Sequence, residues 1–273
     1  MTLELLGYAG AILMGLSLGL IGGGGSILTV PILVYLFSVD AVLATAYSLF
    51  VVGLTSLIGS FSHMRLGNIH WRTAIVFGIP SIISVYLTRA YVVPAIPDPV
   101  FHLGDTAVSK AHAILLLFAV IMLLASYSMI RKRVVMENEE AEPRYNYPLI
   151  LLEGIVVGAV TGLVGAGGGF LIIPALVLLA KLPMKQAVGT SLLIIAAKSL
   201  FGFMGDLSHY HLDWFLLGSV TALAIAGIFI GNRLSRNVDG NKLKKAFGWF
   251  VLVMGIYILV RELYLNPAAG AGH

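Results

Sequence analysis

Two glycine clusters and one lysine are the residues of this chain best placed to do chemistry. Gly22-Gly23-Gly24-Gly25-Ser26 and Gly165-Ala166-Gly167-Gly168-Gly169 each interrupt an apolar stretch. Small residues at every fourth position let membrane helices pack closely, and Gly15, Gly19 and Gly23 fit that spacing. Four or five together do something else. Each glycine costs a helix about 0.8–1 kcal/mol relative to alanine, so a run of them favours a break. Short helices restarting near Ser26 and Gly169 would present unpaired N–H groups and roughly half a positive charge each. Two such N-termini brought together form an anion site, and glycine keeps side chains away from the amides.

Lys198 lies in Ala-Ala-Lys-Ser-Leu-Phe-Gly, near the middle of an apolar segment. A lysine at the centre of a bilayer costs about 2.5–3.5 kcal/mol, so it needs a reason to be there. It is expected either to ligand an anion or to pair with a carboxylate such as Glu153. A lysine that takes up its proton together with the anion would make a proton the candidate coupling ion. Ser48, Thr190 and Ser191 can donate hydroxyls to the same anion, or bond back to their own helix backbone. Glu153 is close to the start of its segment and reads as an interfacial acid, with a proton-coupling carboxylate as the alternative. His209-x-His211 has no carboxylate or cysteine motif beside it and is weak grounds for a metal. No Walker A, G-x-S-x-G or H-E-x-x-H pattern is present, so catalysis and ATP hydrolysis lack residues to carry them. Cysteine is absent, which excludes disulfides and thiolate chemistry. No metal or other cofactor is expected.

The elements that must position these residues follow from composition. The chain is 59% hydrophobic and 11% charged, with a mean hydropathy of +0.96. A soluble domain carries about 25% charged residues, so the surroundings here are lipid. The net charge of +4 therefore reports membrane orientation and not nucleic acid. Apolar stretches at 41–61, 73–93, 112–130, 186–205, 214–231 and 245–263 are long enough to span a bilayer. Those at 26–37 and 169–180, directly after the glycine clusters, are not. No cleavable signal peptide is expected, because Glu4 stands where a basic segment would be.

The chain also repeats itself. Residues 19–31 recur 143 positions later as 162–174, and the match continues without a gap to Trp71 and Trp214. Loop charges then set the topology. Of the seventeen Lys and Arg residues, thirteen fall in 63–72, 131–147, 181–185 and 232–245, which places those loops in the cytoplasm. Equivalent loops of the two copies fall on opposite sides, so the repeats are expected to be inverted. The fold expected is an all-α integral membrane protein of two inverted-topology repeats, each a glycine-broken hairpin plus three transmembrane helices. Repeat 1 covers 1–130, with hairpin 3–37 and helices 41–61, 73–93 and 112–130. A cytoplasmic linker, 131–147, leads to repeat 2 at 148–265, with hairpin 148–180 and helices 186–205, 214–231 and 245–263. A flexible tail covers 266–273. Both termini are expected outside the cytoplasmic membrane.

These motifs resemble the sulfite exporter TauE/SafE family of membrane permeases. The resemblance is carried by the two Gly-rich-to-Pro segments (19–31 and 162–174), by Ala44 to Leu49, and by Ala187 to Leu192. It covers most of 10–75 and 155–235. It implies secondary transport of small anions of sulfur or organosulfonate metabolism, with membrane lipid as the other partner and no nucleic acid. Ala166 departs from an all-glycine run. A passive anion channel would use the same helix N-termini and stands as the alternative.

Overall fold

Three of the long helices begin where the sequence supplies a cap. Asp40 accepts the N–H groups of Val42 and Leu43, and Asp213 those of Phe215 and Leu216. The His70 ring nitrogen accepts that of Thr73. Each cap satisfies donors that a helix start leaves unpaired.

The computed structural model describes residues 2–103, 106–130, 147–178, 180, 182–234 and 240–265. Helix α1 (Thr2–Ile21) leads through a 3-10 turn (Gly24–Leu28) into the short α2 (Thr29–Tyr35). Then come α3 (Ala41–Arg65) and α4 (Trp71–Leu87), the latter continuing through a π turn (Thr88–Val92) into α5 (Val93–Ala95). Strands β1 (Phe101–Leu103) and β2 (Thr106–Val108) form a small antiparallel hairpin, with Phe101 opposite Val108. Next are α6 (Lys110–Ile130), α7 (Tyr147–Val164), α8 (Gly169–Leu178), α9 (Met184–Asp206), α10 (Trp214–Leu234) and α11 (Gly240–Val260). The chain is an all-α membrane protein. Almost all of the linker expected at 131–147, and the whole tail at 266–273, lie outside the described residues.

Six helices among the described residues are long and apolar enough to cross a bilayer: Glu4–Ile21, Ala41–Arg65, Trp71–Ala95, Lys110–Tyr127, Lys185–Asp206 and Trp214–Leu234. Their outward faces are greasy. On α4, Ile75, Ile79 and Ile83 are exposed at a four-residue spacing while Phe77, Ser81 and Val85 are buried. That is one stripe toward lipid and one toward protein. Helices α3 and α9 form the centre: 72% and 67% of their apolar stretches are buried, against 33–44% for the other four.

The first glycine-broken unit folds back on itself. Gly7 packs on Phe37, Gly10 on Ile32, and Gly25 on Met14 and Leu18, so the short arm returns along the long one. Two hydrogen bonds, one at the turn and one past the end of the short arm, recur 143 residues on. Gly22 N–H donates to Leu18 O and Gly165 N–H to Thr161 O; Val39 N–H donates to Leu33 O and Leu182 N–H to Leu176 O.

The remaining packing is paired. Helix α1 lies along α10 in the same direction, with Gly15 against Ala224 and Gly19 against Ile228. Helix α4 lies along α7 likewise, with Phe77 against Gly154 and Ser81 against Gly158. Helices α3 and α9 run antiparallel, because Gly59 meets Leu192 while Leu49 meets Gly202. Helices α6 and α11 do the same: Met122 meets Gly255, and His112 pairs with Glu262 at 2.8 Å.

One buried charged pair goes beyond the sequence expectation. Arg89, near the end of the stretch 73–93, and Asp206, just past 186–205, are buried inside helical segments, Arg89 in the π turn and Asp206 as the last residue of α9. They face each other across the α4–α9 seam, Nε to Oδ2 at 3.4 Å. Opposite charges that face one another can remain below the surface, and charge counting alone does not see the pairing.

Candidate functional site

The two breaks meet. A Cβ placed on Gly23 would overlap the Cα of Gly169, and one on Gly169 would overlap Gly23, so the backbones touch where no side chain fits. The equivalent residues Gly22 and Gly165 both take the left-handed conformation, with φ of 82° and 73°. L-residues with side chains rarely adopt it, which is why glycine stands there. After that the two breaks differ. The first winds into the 3-10 turn from Gly24, so α2 starts at Thr29 and not near Ser26. The second passes through left-handed Gly167 and Gly168 and starts α8 at Gly169, as the sequence suggests.

Around this contact the sequence-derived residues divide. Ser26 is buried, faces Gly167, and donates its hydroxyl to Gly23 O at 2.8 Å. Gly25 is packed on α1, Ala166 is buried, and Gly167 lies on Val52 of α3. Lys198 is fully buried, and its ammonium donates to Thr161 Oγ1 at 2.9 Å. It lies against Gly168: a Cβ there would be 2.6 Å from Nζ. The glycine is what lets the lysine reach the break.

The hydroxyls behave differently from one another. Ser48 is fully buried and its oxygen has no hydrogen-bond partner. Ser191 donates back to Val188 O at 2.8 Å. Thr190 accepts the backbone N–H of His70 at 2.9 Å, which ties the start of α9 to the start of α4. Glu153 is half-buried near the start of α7, and no ion pair joins it to Lys198.

The electrostatics follow from the termini. Thr161 belongs to the last turn of α7, and Gly168 directly precedes α8. The half charges of a helix C-terminus and a helix N-terminus have opposite signs and offset one another. The lysine's own charge is therefore left over. An ammonium has three donors, and Thr161 takes one. A buried cation with spare donors beside glycine backbone is suited to hold an anion.

A model of the family described as "Sulfite exporter TauE/SafE" matches residues 8–258. The chain belongs to the TauE/SafE family. Relatives carry names in keeping with that. A "Probable membrane transporter protein" of Xylella fastidiosa is 28% identical over 255 residues, covering 92% of each chain. One of Methanocaldococcus jannaschii is 28% identical, covering 91% of this chain and 94% of its own. The Bacillus subtilis protein YdhB, again a "Probable membrane transporter protein", is 27% identical and covers 90% and 96%. No solved structure matches the chain. This TauE/SafE protein is thus a multi-pass membrane transporter and not an enzyme.

Sequence reasoning missed three parts of this TauE/SafE interior. Thr161 holds Lys198, yet its repeat partner is Leu18; a polar residue in only one copy was the available signal. Ser56 and Ser199, an identical pair, are both fully buried with unpartnered hydroxyls on α3 and α9. The Arg89–Asp206 pair had no signal, because each partner adjoins a polar loop.

Proposed function

We propose that this protein is a secondary transporter for small sulfur-containing anions, sulfite or a sulfonate, in the cytoplasmic membrane. One observation carries the reading: a fully buried lysine whose ammonium touches a helix break and is paired with a hydroxyl, not a carboxylate. A divalent oxyanion entering the membrane interior needs positive charge that helix ends of opposite sign do not supply. Lys198 provides it. The bound anion would lie among Lys198, the amides of Gly167 to Gly169 and those of the first break (Gly22 to Ser26), with the Ser48 hydroxyl as a further donor.

The same reading takes residues 1–130 and 148–265 as inverted repeats that rock about α3 and α9. Support comes from the antiparallel run of these equivalent helices and from the exchange of partners that puts α1 on α10 and α4 on α7. Close contact between the breaks speaks for a gated site over an open channel, because backbone in contact with backbone must part before an ion enters. Export or import, with a proton as coupling ion, follows the gradient applied. Purified protein in liposomes tests this: sulfite and alkanesulfonate flux, with and without a pH gradient. Flux that saturates and responds to the gradient is expected. Non-saturating flux indifferent to any gradient points to a channel, and no flux of any sulfur anion sinks the reading.

A further inference from the structure

The Arg89–Asp206 pair lies outside the lysine site and is poorly matched. Both side chains are buried to 1% exposure or less. Yet none of the three guanidinium nitrogens has a hydrogen-bond acceptor, and neither carboxylate oxygen has a donor. Their contact is a single 3.4 Å approach through Nε, not the two parallel bonds that an arginine fork makes with a carboxylate. The guanidinium's fork is therefore unfilled.

Its place in the fold is equally informative. Arg89 sits in a π turn, a form that concentrates at functional sites because it loosens the regular ladder. Gly205 comes close to the Arg89 stem, and Gly202 lies on Val85, so small residues line this stretch of the α4–α9 seam. Asp206 is eight residues beyond Lys198 on the same helix, about 12 Å along the axis. The seam thus joins the lysine to the end of α9 that loop charges put outside the cytoplasm.

One scaffold contact of this protein comes in duplicate. Tyr47 with Asp213 and Thr190 with His70 are the same hydrogen bond made twice, each time from one half to the other. The ion pair has no copy: the positions equivalent to Asp206 and Arg89 are His63 and Asn232.

We infer that Arg89 is a second anion station at the outer end of the pathway, with Asp206 holding its place between passages. It recognises an anion with two or more oxygens on one centre, a sulfur oxyanion or a sulfonate, which fills the fork and displaces the carboxylate. This rests on the anion-transport reading above.

The test uses sulfite and the whole protein, purified and in liposomes. Two readouts are followed: the KM of sulfite flux, and the sulfite concentration giving half-maximal thermal stabilisation. Arg89→Gln is expected to raise both at least tenfold and Arg89→Lys to raise them less, since a lysine has charge but no fork. Asp206→Asn is expected to lower both threefold or more, because the guanidinium is freed. Opposite directions for the two partners are the signature. A structural pair would instead weaken both singles alike and recover in the charge swap Arg89→Asp/Asp206→Arg; that result overturns the station. So does an unchanged sulfite response in folded Arg89→Gln. If Arg89→Gln does not fold, Asp206→Asn decides: tighter sulfite binding upholds the station, unchanged or weaker binding overturns it. Wild-type protein that moves no sulfur anion overturns the transport reading itself, and the station with it.

Discussion

The hydroxyl of Thr190 holds the backbone N–H of His70 at 2.9 Å, and Tyr47 holds that of Asp213 at 2.6 Å. The two bonds are related residue for residue by the 143-position offset. In each, a residue early in a central helix (α9 or α3) fixes the cap of the helix that packs beside it (α4 or α10). Threonine replaces tyrosine without loss of the bond because only an oxygen acceptor is needed. The sequence pattern had offered Thr190 as an anion ligand; here its oxygen serves the scaffold.

Thr190→Val is accordingly expected to cost about 1–3 kcal/mol of stability, the usual consequence of stranding a buried partner. The KM for the transported anion should stay within twofold. Thermal unfolding alongside flux measures both, and a tenfold KM change with unchanged stability would return Thr190 to the site.

Lys198→Ala should raise KM for sulfite at least tenfold, which is about 1.4 kcal/mol. Lys198→Arg should be partly tolerated, since it keeps the charge. Thr161→Val should give an intermediate rise, because the ammonium loses its hydrogen bond. An alanine variant that folds and transports with unchanged affinity assigns the lysine to structure.

Gly167→Val should abolish flux. The residue has φ of 64°, and a Cβ there would lie 2.6 Å from Val52 Cγ1. A β-branched residue in that conformation stores about 1–3 kcal/mol of strain. Gly24→Val is expected to do likewise by favouring a continuous helix. Flux in liposomes and detergent-solubilised yield are the measurements; full flux from a well-folded Gly24→Val/Gly167→Val protein would remove the breaks from the site.

Topology can be read directly, because the chain has no cysteine. Single cysteines at Ser62, Ser109, Asn138 and Ser208, probed from outside with an impermeant maleimide, should label at 109 and 208 only. Equal labelling at 62 and 208 would sink the inverted arrangement, since these loops follow equivalent helices.

Much of this protein is written in its sequence, for physical reasons that act locally. Hydrocarbon selects apolar stretches of a set length, so the spans at Ala41–Arg65 and Trp214–Leu234 are legible from hydropathy. Glycine runs cannot propagate a helix, so both breaks were legible, and a fixed offset exposed the duplication. Other features depend on what lies across a seam. Whether Lys198 pairs with Glu153 or Thr161 is settled by where the fold sets the end of α7 against the middle of α9, residues 37 apart in sequence. Arg89 and Asp206 look like loop charges until α4 and α9 are laid side by side. Gly23 and Gly169 meet only because two hairpins fold onto one centre. Local chemistry determined the elements and their breaks; contact between distant segments, which no spacing encodes, decided which charges and hydroxyls were spoken for.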